Sequence, residues 1–268
     1  MKRICIPVAL AAATVGLITL GGCSGESSTA KPVAVSETPA TANPYTELSA
    51  LPDWSGVWEP ARFAGKPGGP PPGPPKLTPE YAAQFAKYQE KNKKTPGINF
   101  VTNVANCMPP GVPGSMQQPY PMEFLYTPGR VTLLIETYSM VRRIYTDGSE
   151  PKEPDPSYQG TSVGHWEGDT LVVETKAILP ETSPVNGVIG HSDQFKVTEK
   201  IHLVEPDMME IITTREDPTV FTEPYTTAAR YARHRDWHIM EYVCAQNNHD
   251  SVDEKGNPGF SLDRKPGE

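Results

Sequence analysis

From Phe124 to Cys244 the chain runs as short stretches of alternating apolar and polar residues, punctuated by turn-forming residues. Phe124–Thr127 and Arg130–Tyr138 flank Pro128-Gly129, and Met140–Tyr145 ends at Asp147-Gly148. Ser162–Trp166 and Thr170–Ala177 flank Glu167-Gly168-Asp169, and Phe195–Val204 and Met208–Arg215 flank Glu205-Pro206-Asp207. Tyr225–Arg233 then precedes Trp237–Cys244, with a break near Arg235-Asp236. A period of two is the signature of strands, and such short turns join antiparallel neighbours. Trp54–Trp58 supplies one more strand upstream. No helical pattern separates these segments, so the sheet must remove its edges by closing on itself or by folding into two layers. The expected fold is mainly β: a lipocalin-like antiparallel up-and-down barrel with one short N-terminal helix, with a two-sheet β-sandwich as the alternative.

The helix is announced by Thr78-Pro79-Glu80: an N-cap residue, a proline at the first helical position and an acid at the positive end. Tyr81, Phe85 and Tyr88 then share one face, Lys91, Lys93 and Lys94 suit the C-terminal end, and Pro96-Gly97 stops it. The aromatic stripe reads as a docking face, or as a lid over a ligand. Between Trp58 and this helix lies Gly65–Pro75, with Pro70-Pro71-Pro72 and Pro74-Pro75, which suits an extended or polyproline II crossing.

The first residues have a different character. Met1-Lys2-Arg3 is a basic start, and Ile4 to Leu20 is an apolar run too short and too rich in small residues to favour a stable membrane span. It ends in Leu20-Gly21-Gly22-Cys23, which resembles the lipobox of bacterial lipoproteins. The resemblance implies cleavage before Cys23 and acylation of that residue, and several acyl chains anchor far more durably than one. Ser24, in place of the aspartate that retains such proteins in the inner membrane, implies the outer membrane, facing the periplasm. Ser24 to Ala50 is rich in Ser, Thr, Ala, Pro and Glu and reads as a tether spanning roughly 30 Å. The expected organisation is therefore a signal peptide at 1–22, a flexible tether at 23–50, a barrel domain at 51–248 and a polar tail at 249–268.

With Cys5 in the leader and Cys23 acylated, Cys107 and Cys244 remain, and export to an oxidising compartment predicts a disulfide between them. Two buried free thiols are the alternative. A formal charge of −8, with no long Lys/Arg block, argues against a nucleic-acid partner. No phosphate-cradling loop, dinucleotide fingerprint or haem attachment motif occurs, and no cofactor is assigned.

Several motifs of the domain stand out together: Cys107-x-Pro-Pro-Gly, Arg142-Arg143-Ile144-Tyr145-x-Asp-Gly, Gly164-His165-Trp166-Glu167-Gly168-Asp169-Thr170-Leu171-Val172-Val173-Glu174-Thr175, His191-Ser192-Asp193 and Glu241-Tyr242-x-Cys244. In these the chain resembles a family of exported bacterial proteins of no settled activity, over about Trp54 to Asn248. The resemblance implies no reaction.

Function has to be read from polar residues placed on apolar faces. Glu199 alternates with Phe195, Val197, Ile201 and Leu203; Glu241 with Trp237, Ile239 and Val243; Arg142 with Met140 and Ile144; His165 with Val163; Glu174 with Val172. A buried carboxylate is costly unless paired, so an internal Arg–Glu network is expected, which would be structural, ligand-binding or catalytic. In the catalytic reading His165 and Glu199 carry protons and Arg142 stabilises an anion. In the ligand reading Glu241, Glu174, Tyr145, His191 and Asp193 join them around a small molecule. His191 and Asp193, with His165 as a third, lack the dense spacing of a metal site, and no metal is assigned. Gly160-Thr161-Ser162-Val163-Gly164 matches a nucleophile elbow, but a hairpin follows where the elbow needs a helix. His234 and His238 flank a strand break and read as surface residues. The leading expectation is a lipid-anchored barrel that binds a small, largely apolar or amphipathic ligand. An acid–base enzyme (lyase, isomerase or hydrolase) and an envelope interaction subunit with an unknown protein partner are the alternatives.

Overall fold

The computed structural model describes residues 43, 45–62, 64–94, 107–185 and 188–244, together with short strands at 250–252 and 258–260. The leader, Cys23, the tether up to residue 42 and most of the tail lie outside the described residues.

Nine strands close into a barrel: β1 (Val57–Pro60), β2 (Met122–Thr127), β3 (Arg130–Ile135), β4 (Met140–Tyr145), β5 (Thr161–Glu167), β6 (Thr170–Lys176), β7 (Lys196–Glu205), β8 (Met208–Glu216) and β9 (Tyr225–His234). Neighbours in sequence are neighbours in the sheet, and β1 joins β9 through Val57↔His234 to Pro60↔Tyr231. The barrel is mixed rather than wholly antiparallel. In a closed ring of nine strands, alternation of direction must fail at least once. It fails between β4 and β5, which run parallel and pair only at Ile144↔Ser162 and Tyr145↔Val163. Parallel neighbours need a long crossover, and the segment between Tyr145 and Thr161 provides it.

Trp237–Cys244, expected as a strand, forms none. The edge of β9 that it would need is already taken by β1. Asp250–Val252 and Pro258–Phe260 pair with each other within the tail.

Helix α1 (Pro79–Lys94) forms where the sequence places it. The carbonyl of Thr78 accepts from the Ala82 amide, but its hydroxyl donates to Thr219 O (2.7 Å), so it ties the helix start to the barrel instead of capping it. No helix among the described residues is long and apolar enough to cross a membrane.

Inward residues form two apolar groups. The first gathers Trp54, Trp58, Met116, Met122, Phe124, Leu133, Ile144, Leu171, Val173, Ile201, Ile211 and Tyr231, among others. Trp54 packs edge-on to Phe124, its ring centroid 5.1 Å away, and 5.2 Å from that of Trp166. The second gathers Val112, Ile178, Val188, Phe195, Val197, Val220 and Phe221, with Tyr81 and Phe85 of α1 against it. The strand registers place a polar layer between them, because Glu199 opposes Val173 and Thr213 while Val197 opposes Thr175 and Arg215.

The predicted disulfide is present: Cys107 is bonded to Cys244, with Cα atoms 5.8 Å apart.

Candidate functional site

The polar layer begins with Arg142, which β4 directs inward between Met140 and Ile144. Its side chain is 1% exposed, and its Nη2 forms an ion pair with Glu199 Oε2. Nη2 also donates to Thr175 Oγ1 (2.8 Å), Nε donates to Ser162 Oγ (3.1 Å), and Nη1 lies 3.2 Å from Met116 Sδ. The two hydroxyls are 2.9 Å apart, so β5, β6 and β7 all meet at this guanidinium. Glu199 is fully buried, and its second oxygen, Oε1, has no hydrogen-bond partner. An ion pair this deep survives desolvation only because its charges offset each other and its donors are engaged. Arg142 and Glu199 therefore do meet inside the barrel, as their alternation predicts.

Other expected site residues lie elsewhere. His165 is on the outer face of β5, with a side chain 65% exposed and Nε2 3.1 Å from Glu167 Oε1. It shares that outer face with Val163, so the pair alternates as expected but on the wrong side, and His165 cannot serve Glu199 as a second proton carrier. Glu174 also faces outward, paired with Lys176 (2.6 Å) and Lys196 (3.8 Å). Glu241 is exposed on the non-strand segment. Tyr145 is half-buried at the end of β4 under the Arg130 guanidinium, 5.1 Å from its ring centre, beside a shallow cavity of ≈ 370 Å³ shared with Arg143 and Tyr158. Asp193 is exposed beside a smaller cavity with Lys196 and Glu216.

His191 is buried in the second apolar group, its ring 4.3 Å from that of Phe195. Nδ1 lies 2.8 Å from the Ser192 carbonyl, which can only accept, so Nδ1 carries the proton and Nε2 accepts from the Thr182 hydroxyl (3.0 Å). Burial holds the His191 pKa below its ordinary value, against the opposing pull of Ser192 O and Asp217. Among the described residues, no group of three or more His, Cys, Asp or Glu side chains is placed to hold a metal ion.

The barrel interior around Glu199 is filled rather than hollow. Trp58, Met116, Ile201 and Tyr231 occupy the lumen, and Tyr231 donates its hydroxyl to Met116 O (3.0 Å). The large cavity, ≈ 860 Å³, lies instead at the barrel end bounded by Arg215 and Tyr225. Its floor comes from Arg215, Tyr225, Thr227 and Ala229 of β8 and β9. Its walls are Phe85, Tyr88 and Gln89 of α1 and the crossing Gly68–Pro75, with Arg62, Gln117, Val185 and Ala228 completing it. The crossing can come this close because it is threaded by glycine. Gly69 has φ +98°, and a Cβ there would sit 3.3 Å from Ala228 O. Of the aromatic stripe of α1, Tyr81 and Phe85 pack on the second apolar group, as a docking face should, while Phe85 and Tyr88 line the cavity.

Arg215 is not among the site residues expected from the strand patterns. It is 3% exposed; its Nη1 donates to Thr227 Oγ1 (3.0 Å), and its guanidinium lies 5.5 Å from the Tyr225 ring centre. Burial lowers its pKa to about 10, with Tyr225 and Glu199 pulling the other way, so it stays cationic at neutral pH. The available signal was the alternation Met209, Ile211, Thr213, Arg215, which puts this cation on the same face as the core.

No protein-family model matches the chain, and no curated protein does. Among solved structures the chain is similar to a point mutant of the fluorescent protein UnaG, at 14% identity and a TM-score of 0.34, over 68% of this chain and 96% of that one.

Proposed function

We propose that this protein is a lipid-anchored binding protein of the bacterial envelope that takes a small amphipathic molecule into the cavity at one mouth of its barrel. The observation that carries the reading is the cavity itself: ≈ 860 Å³, the size of a small-molecule site, with aromatic and proline walls beside polar groups from Arg62, Arg215, Thr227 and two glutamines. The lipobox-like Leu20-Gly21-Gly22-Cys23 and the Pro- and Ser-rich segment after it support attachment to a membrane facing the periplasm. The tightly packed Arg142–Glu199 layer supports a structural role for the inner polar residues, leaving binding to the mouth.

Two measurements test the two halves. Cells labelled with tritiated palmitate should yield a labelled protein from the native chain and none from Cys23→Ala; equal labelling ends the anchor. Titration with Nile red, an uncharged apolar dye, should give saturable fluorescence enhancement. Ala229→Trp, which fills the cavity floor, should abolish it without lowering the melting midpoint by more than a few degrees. Undiminished dye binding to folded Ala229→Trp would place the dye elsewhere and end the cavity reading.

A further inference from the structure

We propose that the molecule bound in this cavity is an acid, and that Arg215 holds its carboxylate. The inference deepens the binding reading above and rests on it. Arg215 is a buried cation without a counter-ion: among the described residues, no carboxylate lies within ion-pair distance of it. The inward carboxylate of the neighbouring strand, Glu199, is bonded to Arg142 through Oε2. Of the five N–H groups on the Arg215 guanidinium, one is directed to Thr227, and Nε has no acceptor among the described residues.

A cation withdrawn from water is costly unless an anion or a set of acceptors compensates it. The Tyr225 ring face supplies part of that compensation. Among the described residues nothing supplies the rest, and the side chain forms part of the cavity floor. A guanidinium presents a planar fork that matches a carboxylate in two parallel hydrogen bonds. Phe85, Tyr88 and the prolines offer apolar surface, and the cavity's other cation, Arg62, already donates through Nη2 to Gln117 O (2.9 Å), which fits one acidic head at Arg215 and a hydrophobic body. The rival arrangement is internal: Arg215 turning to the unpartnered Glu199 Oε1 and leaving no acceptor site at the mouth.

The test uses the whole chain with Cys23→Ala, oxidised, and two probes of the same shape: 11-(dansylamino)undecanoic acid and its primary amide. The acid should bind at least about tenfold more tightly than the amide, the difference a charge-assisted bidentate contact makes. Arg215→Gln should bring the ratio of acid to amide affinity down to about one, and Arg215→Lys should restore part of the preference. Equal binding of acid and amide to the unsubstituted Arg215 protein overturns the proposal and leaves the cavity reading standing. A preference for the acid that survives Arg215→Gln also overturns it. Binding of neither probe overturns both readings together. A measurement that needs no substitution at the site accompanies these: the Arg215 Nε–H resonance should move on addition of the acid and not of the amide, and a stationary resonance under saturating acid refutes the contact.

Discussion

The buried pair Arg142–Glu199 makes a sharp energetic prediction, because its two single substitutions and its double substitution should not add. Arg142→Met leaves a carboxylate that is 0% exposed with no partner, and Glu199→Leu leaves a guanidinium that is 1% exposed with only neutral partners. Removing one member of a buried pair costs about 3–5 kcal/mol, chiefly because the survivor is stranded. For a domain of this size each kcal/mol moves the midpoint by about 2–4 °C, so each single variant should melt about 6–20 °C lower. The double variant strands nothing. Ser162 and Thr175 are already 2.9 Å apart and keep one hydrogen bond between them, Met116 gains an apolar neighbour, and the remaining loss is packing. It should lie within about 2 kcal/mol of the native chain. Urea unfolding followed by near- and far-ultraviolet circular dichroism gives all four free energies. Arg142→Met has a second signature. Its unpaired, buried Glu199 should take up a proton on folding, so its folded pKa should lie above the ordinary glutamate value. The folded state then binds more protons than the unfolded one, and stability should rise as pH falls from neutrality toward that ordinary value. A double variant as unstable as the sum of the singles, or an Arg142→Met variant without that acid gain, would show that the layer is not held by mutual charge compensation.

Three further outcomes follow from the packing. His191 has a folded pKa below its ordinary value of 6.5, so the unfolded chain binds more protons just below that pH; stability should fall on acidification from pH 7 to about 5.5, and His191→Gln should flatten that part of the profile. Reducing Cys107–Cys244, which links residues 137 apart in sequence, or replacing both with Ser, should cost up to about 4–5 kcal/mol in urea unfolding, and an unchanged midpoint would exclude a constraint on the unfolded chain. Gly164→Ala puts a Cβ 2.8 Å from Ile144 Cγ2 and 3.2 Å from Leu171 Cδ1, so it should destabilise by about 1–3 kcal/mol, whereas His165→Ala on the outer face should stay within about 0.5 kcal/mol.

Much of the barrel was legible because each strand carries its own period. Met140–Tyr145 is found where alternation places it, and the strands around Glu167-Gly168-Asp169 and Glu205-Pro206-Asp207 differ from expectation by a residue or so at their ends. Glu199 and Arg142 were legible for the same reason, since each interrupts an unbroken apolar face. What alternation could not supply is competition for an edge. Trp237–Cys244 has the residues of a strand, but Val57–Pro60, far away in sequence, already occupies the only side of β9 that faces away from β8. The cavity was hidden for a related reason: α1, the proline crossing and the ends of β8 and β9 are brought together by tertiary packing, and no local pattern links Tyr88 to Arg215.

His165 exposes the remaining weakness, and the remedy lies in volume rather than hydropathy. Along β5 the alternation offers two faces: Val163 and His165, or Ser162 and Gly164. Hydropathy favours Val163 for the interior, yet Ser162 and Gly164 are the buried residues. The deciding quantity is the room left by β4, which pairs with β5 in parallel at Ile144↔Ser162 and sends Arg142 and Ile144 inward. Arg142 crosses β5 to reach Thr175 and Glu199, and Ile144 lies where a Cβ on residue 164 would be. A close-packed interior admits large side chains on one strand only where its neighbour presents small ones. Glycine and serine at alternate positions beside a strand carrying Arg and Ile are therefore inward residues, and the larger Val163 and His165 are displaced to the solvent side, taking the expected catalytic histidine out of the barrel.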